Sequence, residues 1–510
     1  MKIKRALISV WNKEGVIELA TFLKSENIEI ISTGGTRNIL VEAGLEVKAL
    51  EKLTKSPSVM NGRVKTLHPR VFGGILADRN NKEHLKDLDI LKGLEIDLVV
   101  VNFYPFIQEV IKNNQNDLKD AIEYIDIGGP SMIRAAAKNY NCVVPLIMPE
   151  LYNDFMKIYQ ENDGTIPVQF KKILASKVFS ITAKYDAAIS SYLCDKNDFS
   201  ENKIISIKKH NDLRYGENPH QRSAFYLDDD KVYPIIQHQG KQLSYNNYLD
   251  LESAYSIVLE FNEPACAIIK HSNPCGFGLS DNLVEAYKRA VSTDPVSYFG
   301  GIVALNHEVD QDIAEELIKP FLECIIAPSF SISALNILKN KKNLRLISPN
   351  QNYEIQSYSL KSVLGGFLYQ DIDKTSNAEE SWEVVTNRRP SSKELNSMRI
   401  GWKLVRFVKS NAIVFSNQTQ LLGIGAGQMS RVDSVKIAIQ KILENGLNLN
   451  DGIMASDAFF PFSDSLELAA KIGIKGIIHP GGSINDKEII KKANSLDLAM
   501  IHTSKRHFLH

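Results

Sequence analysis

Residues 5–36 read RALISVWNKEGVIELATFLKSENIEIISTGGT, and the order of apolar segments within them decides the fold class. RALISV at 5–10 and IEIIST at 28–33 are short apolar runs with the length of buried strands. Between them, VIELATFLKSE at 16–26 has apolar residues at helical spacing. The stretch therefore predicts two strands of a parallel sheet joined by a covering helix.

The alternation of strand and helix patterns continues to about residue 150. Strand-like runs recur as IDLVVVNFYPF at 96–106 and VVPLIM at 143–148, and RNILVEAG at 37–44 has helical spacing. Such alternation is typical of a parallel sheet with helices on its faces. The first part of the chain is therefore predicted to be an α/β domain.

A domain boundary is predicted near residue 198. A lysine-rich helical stretch at 170–193 precedes the polar segment 194–212, which has the composition of a connector. The predicted domains are residues 1–198 and 199–510.

The second part of the chain has strand-like and helical runs separated by many Gly and Pro turn motifs, which predicts a mixed α/β fold. Its least patterned stretch is 331–362, whose polar tail is interpreted as an exposed excursion. No internal repeat is visible in the sequence.

The composition argues against several classes of partner. The 510 residues include 60 basic and 60 acidic side chains, which gives no basis for binding nucleic acid or a membrane surface. No apolar run reaches the roughly 18 residues of a membrane span. Five scattered cysteines, none spaced as C-x-x-C, indicate neither a disulfide framework nor a zinc knuckle. We therefore expect a cytoplasmic protein with small-molecule ligands.

The turn after IEIIST is a candidate anion site. TGGT at 33–36 lies between a strand and a helix, where free backbone N–H groups meet a helix N-terminus. The loop GRVKTLHP adds Arg63, Lys65 and Thr66, which suit a phosphate or carboxylate. The alternatives are a glycine turn that only joins two elements and a solvated basic loop.

Polar residues follow the strand DLVVV at an edge where ligands of open α/β sheets bind. Asn102 and Tyr104 are the first of them, and Asp126 precedes a Gly-Gly turn. Pro130 is predicted at the first position of the following helix, which carries Lys138. Because the helix would rise about 12 Å from Pro130 to Lys138, spacing alone does not show that Asp126 and Lys138 meet.

KHSNPCG at 270–276 allows three explanations. A zinc site needs about four ligands, and only His271 and Cys275 lie near one another. Cys275 stands between proline and glycine, which favours a small residue in a tight turn over a nucleophile. Lys270 and His271 suit acyl or formyl transfer to an amine, because an imidazole accepts a proton while an ammonium stabilises an oxyanion. The alternative is a structural histidine beside a surface lysine.

Other polar loops of the second part are ambiguous one by one. LRYGENPHQ, VKSNAIV and ASDAFFPFSD combine polar or aromatic side chains with turns and strand ends, but a core or solvated role explains each as well. GIGAGQMSRVDS has only a superficial likeness to a dinucleotide fingerprint, since its glycines are spaced G-x-G-x-G. A nicotinamide-dependent dehydrogenase therefore has no further support.

Taken together and in order, these motifs resemble those of a known enzyme family. They include STGGT, GRVKTLHP, VVVNFYPF, IDIGGPSMIRAAAK, LRYGENPHQ, IIKHSNPCG, TDPVSYFGG, VKSNAIV, GIGAGQMSRVDS, ASDAFFPFSD, PGGS and RHFLH. The chain resembles the bifunctional purine biosynthesis enzymes that join phosphoribosylaminoimidazolecarboxamide (AICAR) formyltransferase to IMP cyclohydrolase. The resemblance covers essentially the full length.

The resemblance implies both fold and activity. The first domain would be a methylglyoxal-synthase-like α/β cyclohydrolase, and the remainder a transformylase of two cytidine-deaminase-like mixed α/β units. The transformylase would move a formyl group from 10-formyltetrahydrofolate to the 5-amino group of AICAR. The cyclohydrolase would close formyl-AICAR to IMP with loss of water. The resemblance implies a homodimer, and we expect no required metal.

The resemblance also implies roles for individual residues. His271 would be the base and Lys270 the oxyanion stabiliser, while Lys138 would donate or accept a proton near Lys65, Tyr104 and Asp126. The cyclohydrolase nucleotide would contact Lys13, Thr33, Gly34, Gly35, Thr36, Arg63, Val64, Thr66 and Asn102. In the transformylase, Arg214, Tyr215, Gly300, Asn411, Phe459 and Arg506 would contact the nucleotide, and Arg431, Asp464 and Ser483 the folate.

Two positions depart from the family pattern. Trp11 stands in the first phosphate loop where a serine is common, so we expect Lys13 and backbone N–H groups to contact the phosphate and Trp11 to point aside. Ser463 replaces a common arginine. A nucleotide-sensing protein on the same folds is the alternative, and it predicts missing proton-transfer residues, whereas Lys65, Asp126, Lys138, Lys270 and His271 are present.

Overall fold

A computed structural model describes residues 2–60, 63–113, 117–194, 199, 201–228, 231–351, 357–374 and 379–510. The chain divides into two compact units, Met1–Ser206 and Ile207–His510. Residue 198, the predicted end of the first domain, lies outside the described residues. Within the described ranges, no helix is both long and apolar enough to cross a membrane.

The first unit is built on five parallel strands. They are β1 (Arg5–Ser9), β2 (Glu29–Ser32), β3 (Lys48–Ala49), β4 (Leu98–Val101) and β5 (Val144–Leu146). Their order is β3-β2-β1-β4-β5, so the chain leaves β1 towards β2 on one side and reaches β4 on the other. The gap between β1 and β4 is therefore the topological switch point, where such sheets bind ligands.

Helices cover this sheet, as the sequence predicts. In the helix Val16–Ser25, the buried residues Val16, Leu19, Ala20 and Leu23 follow helical spacing and face the sheet core. The helices are α1 (Val16–Ser25), α2 (Gly34–Glu42), α3 (Leu50–Thr54), α4 (Pro69–Leu76), α5 (Lys82–Ile90), α6 (Leu118–Glu123), α7 (Gly128–Lys138), α8 (Tyr152–Glu161) and α9 (Val168–Leu193), with a π-helix at Ile107–Lys112 and a 3₁₀ turn at Pro149–Leu151.

One helix start differs from the prediction. The helix α7 begins at Gly128, so Pro130 is its third residue rather than its first. The first N–H groups of a helix have no partner within it, which is why proline is tolerated at this position too.

The second unit contains two six-stranded mixed sheets and two hairpins. Its strands are β6 (Ile207–Leu213), β7 (Ser223–Asp228), β8 (Ile235–Gln239), β9 (Ala265–Lys270), β10 (Asn273–Leu279), β11 (Ile302–Leu305), β12 (Cys324–Ile326), β13 (Arg345–Pro349), β14 (Tyr358–Val363), β15 (Gly366–Asp371), β16 (Glu383–Val384), β17 (Ile413–Ser416), β18 (Leu421–Gly425), β19 (Ile453–Ser456), β20 (Gly476–His479) and β21 (Ala499–His502). The hairpins are β6-β7 and β14-β15.

Helices lie between many of these strands along the chain. They are α10 (Tyr245–Val258), α11 (Leu283–Thr293), α12 (Gln311–Leu317), α13 (Ile332–Leu338), α14 (Ser392–Val405), α15 (Arg431–Glu444), α16 (Asp464–Lys471) and α17 (Asp486–Ser495), with a 3₁₀ turn at Glu379–Ser381. One buried apolar cluster includes residues of α10, α14 and both six-stranded sheets.

The two large sheets have the same topology, in agreement with the two similar units that the resemblance implies, although no repeat is visible in the sequence itself. Their orders are β10-β9-β11-β12-β13-β8 and β18-β17-β19-β20-β21-β16. In each, the three strands β11 to β13 or β19 to β21 are parallel and the others antiparallel. The helices α10 and α14 both have 14 residues and begin with a serine capping box. We call β8–β13 and β16–β21, with their helices, the first and second repeat.

Two predicted loops contain regular structure. The predicted connector 194–212 includes most of β6, whose exposure pattern lacks the alternation that marks a strand in sequence. The stretch 331–362 begins with α13 and the buried strand β13, and its tail at β14 is largely exposed, as predicted, but pairs as a strand. Residues 352–356 of that stretch lie outside the described ranges.

Candidate active sites

Asn102 organises the switch point of the first unit. It follows β4, and its Oδ1 accepts hydrogen bonds from the backbone N–H groups of Trp11 at 2.6 Å and Asn12 at 2.9 Å. Its Nδ2 donates to the Asn12 carbonyl at 3.0 Å. These bonds hold the loop after β1 at the edge where ligands of such sheets bind.

The predicted anion turn forms the start of α2 and has two ammonium groups beside it. Thr33 precedes the helix and Gly34, with φ 45°, begins it. Lys65 Nζ lies 2.9 Å from where a β-carbon of Gly34 would stand, so glycine lets the ammonium approach the helix N-terminus. Lys13 Nζ donates to Thr36 Oγ1 at 3.3 Å, and burial and repulsion from Lys65 lower the pKa of Lys13. The arrangement suits an anion such as phosphate.

Trp11 contributes its backbone and an aromatic contact to this edge. Its side chain is 47% exposed and packs edge-on against Tyr104, with ring centroids 5.0 Å apart. The indole is therefore directed at Tyr104, while the main-chain N–H group of Trp11 is bonded to Asn102. That Lys13 contacts a phosphate in its place stays a prediction.

Asp126 interacts electrostatically with both Tyr104 and Lys65. Its Oδ1 accepts from the Gly129 N–H at 2.9 Å, and its own N–H donates to Tyr185 Oη at 2.8 Å. Burial raises the pKa of Asp126, although the amide donors and Lys65 oppose this effect. Burial and the Asp126 charge also raise the pKa of Tyr104. A carboxylate, a phenol and an ammonium that interact in this way can accept and deliver protons.

Three other predicted residues lie in the loop before α4. Thr66 Oγ1 lies 2.6 Å from where a β-carbon of Gly128 would stand, so the hydroxyl is packed against the N-terminus of α7. Arg63 makes an exposed ion pair with Glu123, and Val64 is at the surface. Thr66 is therefore near the candidate site, whereas the Arg63 charge is already partnered.

Lys138 lies at the opposite end of α7 from Asp126. The helix has 11 residues, which corresponds to a rise of about 15 Å. Lys138 is exposed there. The first unit thus brings Lys65 and Tyr104 to Asp126 and leaves Lys138 apart.

In the second unit, Lys270 and His271 stand together at a tight turn between β9 and β10. His271 and Ser272 have φ of 52° and 58°, the left-handed conformation of a two-residue hairpin turn. Lys270 Nζ donates to the Phe299 carbonyl at 2.6 Å. Gly300 has φ 69°, which favours glycine, and a β-carbon there would lie in contact with Lys270 Nζ at 3.4 Å. The exposed imidazole and the ammonium are thus presented side by side.

Asp250 on α10 holds this turn in place. Its Oδ1 accepts from the Ser272 N–H at 2.6 Å and from the Ser272 hydroxyl at 3.3 Å. Burial raises the pKa of Asp250, against the effect of Ser272 and of the His271 and Lys270 charges. Sequence reasoning missed Asp250 because it stands alone in an amphipathic helix, with no motif around it.

The segment before β17 completes the surroundings of the turn. The Lys409 N–H donates to Asn273 Oδ1 at 3.1 Å. Asn411 Nδ2 donates to the Gln428 carbonyl at 3.0 Å. Burial and repulsion from Lys361 lower the pKa of Lys409, a cation that sequence reasoning also missed although VKSNAIV contains it. The second repeat therefore supplies one wall of the site formed by the turn of the first.

A buried ion pair supports that wall. Asp457 is fully buried, and its Oδ1 accepts from Arg431 Nη2 at 2.6 Å. Its Oδ2 accepts from the Ser410 hydroxyl at 2.5 Å, and Arg431 Nη1 donates to the Phe459 carbonyl at 3.3 Å. Within this chain the Arg431 guanidinium is therefore engaged in positioning the 410 and 459 segments.

The other predicted residues of the second unit are at loops or helix ends. Phe459 is 39% exposed, and the Arg506 guanidinium stacks 4.4 Å from the Phe508 ring. Asp464 begins α16, and Ser483 lies in the loop between β20 and α17. These positions leave the side chains available for a ligand.

Arg214 and Tyr215 lie in the loop between β6 and β7. The Arg214 guanidinium is 5.4 Å from the Tyr215 ring centroid. Phe225 of this hairpin stacks on Tyr248 at 4.5 Å. Because Tyr248 belongs to α10, the hairpin is attached to the helix that carries Asp250.

Cys275 is in β10, so its predicted position in a tight turn is wrong. Its thiol donates to the Ile268 carbonyl at 3.5 Å, and burial raises its pKa to about 12. A protonated, buried thiol is inert as a nucleophile. Throughout the described part of the chain, no group of three or more His, Cys, Asp or Glu residues is arranged to hold a metal ion.

Two family models match the chain. A model of the AICARFT/IMPCHase bienzyme family matches residues 136–441, and a model of the MGS-like domain matches residues 15–131. The chain belongs to the AICARFT/IMPCHase bienzyme family. The predicted resemblance, the α/β class with an MGS-like parallel-sheet domain followed by mixed sheets, and the two activities of a purine-biosynthesis bienzyme are thereby confirmed.

Full-length relatives of this bienzyme family support the assignment. The bifunctional purine biosynthesis protein PurH of Bacillus cytotoxicus is 48% identical, with 99% of this chain and 100% of that protein covered. PurH of Bacillus thuringiensis is 47% identical, again with 99% of this chain and 100% of that protein covered.

Among solved structures, the crystal structure of ForH is 34% identical, covers 37% of this chain and 95% of the ForH chain, and has a TM-score of 0.33.

Proposed function

We propose that the second unit transfers a formyl group from 10-formyltetrahydrofolate to the 5-amino group of AICAR, and that the first unit closes formyl-AICAR to IMP. The observation that supports the formyl transfer most directly is the turn at His271, which places an imidazole next to the Lys270 ammonium. A separate group of Asp126, Tyr104 and Lys65 in the first unit supports a second reaction.

In the proposed transfer, the AICAR amine attacks the formyl carbon of the folate. His271 takes a proton from the amine, and the Lys270 ammonium stabilises the oxyanion that forms on the formyl oxygen. The bond between the formyl carbon and N10 of the folate then breaks, and N10 leaves with a proton from the imidazolium. Asp250 acts through Ser272 by holding the turn.

In the proposed ring closure, the carboxamide nitrogen of formyl-AICAR attacks the formyl carbon. Asp126 accepts a proton from that nitrogen, and its raised pKa makes it a stronger base than an exposed aspartate. Tyr104 or Lys65 delivers a proton to the oxyanion, which gives the hydroxyl of a cyclic hemiaminal. Asp126 then returns its proton to this hydroxyl, which leaves as water, while the former formamido nitrogen loses its proton to the vacated base and the ring C=N bond forms. Lys138 is kept as a proposed proton donor or acceptor, to be tested with Lys138→Met.

The proposed ligand contacts follow the elements described above. The phosphate of formyl-AICAR would bind at the α2 N-terminus, with Lys13 as its cation. The other proposed contacts in the first unit are Thr33, Gly34, Gly35, Thr36, Arg63, Val64, Thr66 and Asn102. In the second unit they are Arg214, Tyr215, Gly300, Asn411, Phe459 and Arg506 for AICAR, and Arg431, Asp464 and Ser483 for the folate.

The test assays the two reactions separately. His271→Ala is expected to abolish formyl transfer and to leave the conversion of supplied formyl-AICAR to IMP unchanged. Asp126→Asn should do the reverse. Ser253→Ala serves as a control for both, since its hydroxyl donates to Leu249 within α10 itself. If His271→Ala kept its formyl transfer, the proposed base would be wrong. If the wild type turned over no folate, the proposed formyl transfer itself would be wrong.

We further propose a cytoplasmic homodimer that needs no metal. All five cysteines are free and four of them are buried, as expected in a reducing compartment. The family supports a folate co-substrate, and 10-formyltetrahydrofolate is the proposed form. Light scattering of the purified chain and turnover in the presence of a chelator would test the dimer and the independence from metal.

A further inference from the structure

The two repeats of the second unit each contain a turn at the same position. In the first repeat, Ile302 at the start of β11 pairs with Ile269, the residue before Lys270. In the second, Ile453 at the start of β19 pairs with Ser416, the residue before Asn417. Asn417 and the following Gln418 are therefore the structural counterparts of Lys270 and His271.

The second turn adjoins a cavity of about 520 Å³. Gln418 and Thr419 line it, together with residues that precede β9 and follow β10, such as Phe261 and Ser280. The Leu279 N–H bonds to the Thr419 carbonyl at 2.7 Å, which joins the two repeats at this point. The volume is within the roughly 300–1,000 Å³ of small-molecule sites. The cavity thus occupies, in the duplicated fold, the place that the turn at His271 occupies in the first repeat.

The cavity is lined by buried apolar side chains and by basic side chains. Phe261, Leu279 and Ile400 line it and are more than nine-tenths buried. The partly buried Lys403 donates to the Glu260 carbonyl at 2.6 Å and lies 4.8 Å from the Phe261 ring. Such a surface suits a flat apolar ring.

The basic side chains differ in whether a carboxylate already neutralises them. Arg399 is held by both carboxylate oxygens of Glu379 at 2.7 Å. Arg289, also partly buried, donates to the Leu279 carbonyl. Neither Arg289 nor Lys403 forms an ion pair among the described residues, although Glu379 attracts the Lys403 charge at longer range. The acidic lining residues Glu263 and Asp281 are exposed, so the partly buried charge of the cavity is positive.

The turn beside the cavity has no group that transfers protons. Asn417 and Gln418 carry amides in place of the ammonium and the imidazole. The Asn417 Oδ1 is occupied by the N–H groups of Thr419 at 2.9 Å and Gln420 at 3.0 Å. A ligand at this position would therefore meet no counterpart of the ammonium and imidazole pair at 270 and 271.

We propose that this cavity is a second, non-catalytic binding site for a small organic anion that carries a flat ring, of the nucleoside monophosphate type. The ring packs on Phe261 and Ile400, and the anionic group binds Arg289 and Lys403. The proposal does not depend on the assignment of the catalytic turn, because the lining and the charges of the cavity stand by themselves.

Equilibrium dialysis with AMP tests the proposal on the full chain. The double variant Arg289→Gln, Lys403→Met is expected to bind one AMP fewer per chain than the wild type, or to bind that one at least about tenfold more weakly, since each lost bond is charge-assisted. Both catalytic rates should stay unchanged, which also shows that the variant is folded. Lys288→Met, an exposed change on the same helix, is the matched control.

The outcomes separate the proposal from other causes. Lys403→Arg keeps the charge and should keep the binding, and adenosine, which has no phosphate, should bind the wild type and the double variant alike. Equal AMP binding by the wild type and the double variant, including no binding by either, would overturn the proposal. An equal loss in Lys288→Met would overturn it too, because the effect would then be one of overall charge.

Discussion

At the scale of single residues, burial of Asp126 connects the chemistry of the first unit to its stability. Its pKa in the folded chain is raised above the ordinary value of 3.8, mainly by burial. A carboxyl with a raised pKa contributes stability below pH 3.8, and this contribution is lost as the pH rises through the folded-state pKa. The ionised base therefore weakens the fold at neutral pH.

Asp126→Asn is accordingly expected to stabilise the first unit at pH 7, because the neutral amide removes a charge that burial disfavours there. The amide oxygen can still accept from Gly129, so the helix start is kept. Hydrogen exchange of the β1 and β4 amides measures the effect, with the exposed Asp89→Asn as a control. A lower protection in Asp126→Asn at pH 7 would contradict the prediction.

Asp250 is expected to act as a positioning residue for the catalytic turn. In Asp250→Ala the Ser272 N–H loses its charged acceptor, and kcat for formyl transfer should fall about tenfold or more, because a buried unpaired donor costs about 1–3 kcal/mol. KM for AICAR and the conversion of supplied formyl-AICAR should change little.

Ser253→Ala on the same helix controls for helix effects. Recovery of kcat in Asp250→Asn, but not in Asp250→Ala, would be expected because the amide oxygen can accept the same bond. An unchanged kcat in Asp250→Ala would rule out the positioning role.

The sequence reveals functional residues only where they are neighbours in the chain. Lys270 and His271 are adjacent, so their chemistry can be inferred from the order of residues alone. Asp250 and Lys409 reach the same turn from a distant helix and strand end, and neither has a local signal. The separation of Lys138 from Asp126 likewise appears only once α7 is known to begin at Gly128.

At the scale of elements, glycines in the strands decide how closely helices pack on the sheets. A β-carbon at Gly425 in β18 would lie 2.0 Å from the Ser434 carbonyl oxygen of α15. At the equivalent Gly278 in β10, it would lie 2.2 Å from the Ala286 carbonyl oxygen of α11. Both repeats therefore use a glycine for the same close approach of backbone to backbone.

Gly425→Ala is expected to destabilise the second unit by about 1–3 kcal/mol, because a rigid backbone oxygen must move to make room. Urea unfolding followed by loss of formyl transfer measures the change. Gly366→Ala in the exposed hairpin is the control, since the nearest atom to its β-carbon would be 3.8 Å away. A Gly425→Ala midpoint equal to that of the wild type would show that α15 shifts without cost.

The spacing of apolar residues predicts the helices and strands that are buried on one or both faces. It fails for elements in which polar side chains interrupt that spacing. The first unit's strands were visible because their apolar runs are covered on both faces. The strand β6 was missed because polar side chains occupy most of it. The residues themselves show no repeat, because β9 and β17, ACAIIK and IVFS, satisfy the same buried environment with different side chains, and only the family resemblance implies two similar units.

At the scale of the whole molecule, the two units have separate cores. The buried clusters of the first unit lie within residues 3–185, and those of the second begin at Ile235. Units with their own cores are able to unfold independently. Unfolding of the full chain is therefore not expected to be a single two-state transition.

The two activities should then be lost at different urea concentrations, and a substitution in one unit should move only one of them. Gly425→Ala is expected to lower the midpoint for loss of formyl transfer and to leave the midpoint for conversion of supplied formyl-AICAR where it was. Asp126→Asn cannot report on the cyclohydrolase, so hydrogen exchange of β4 follows the first unit in that variant. If Gly425→Ala shifted both midpoints equally, the two cores would have to unfold as one cooperative system, and the division of the chain into independent folding units would be wrong.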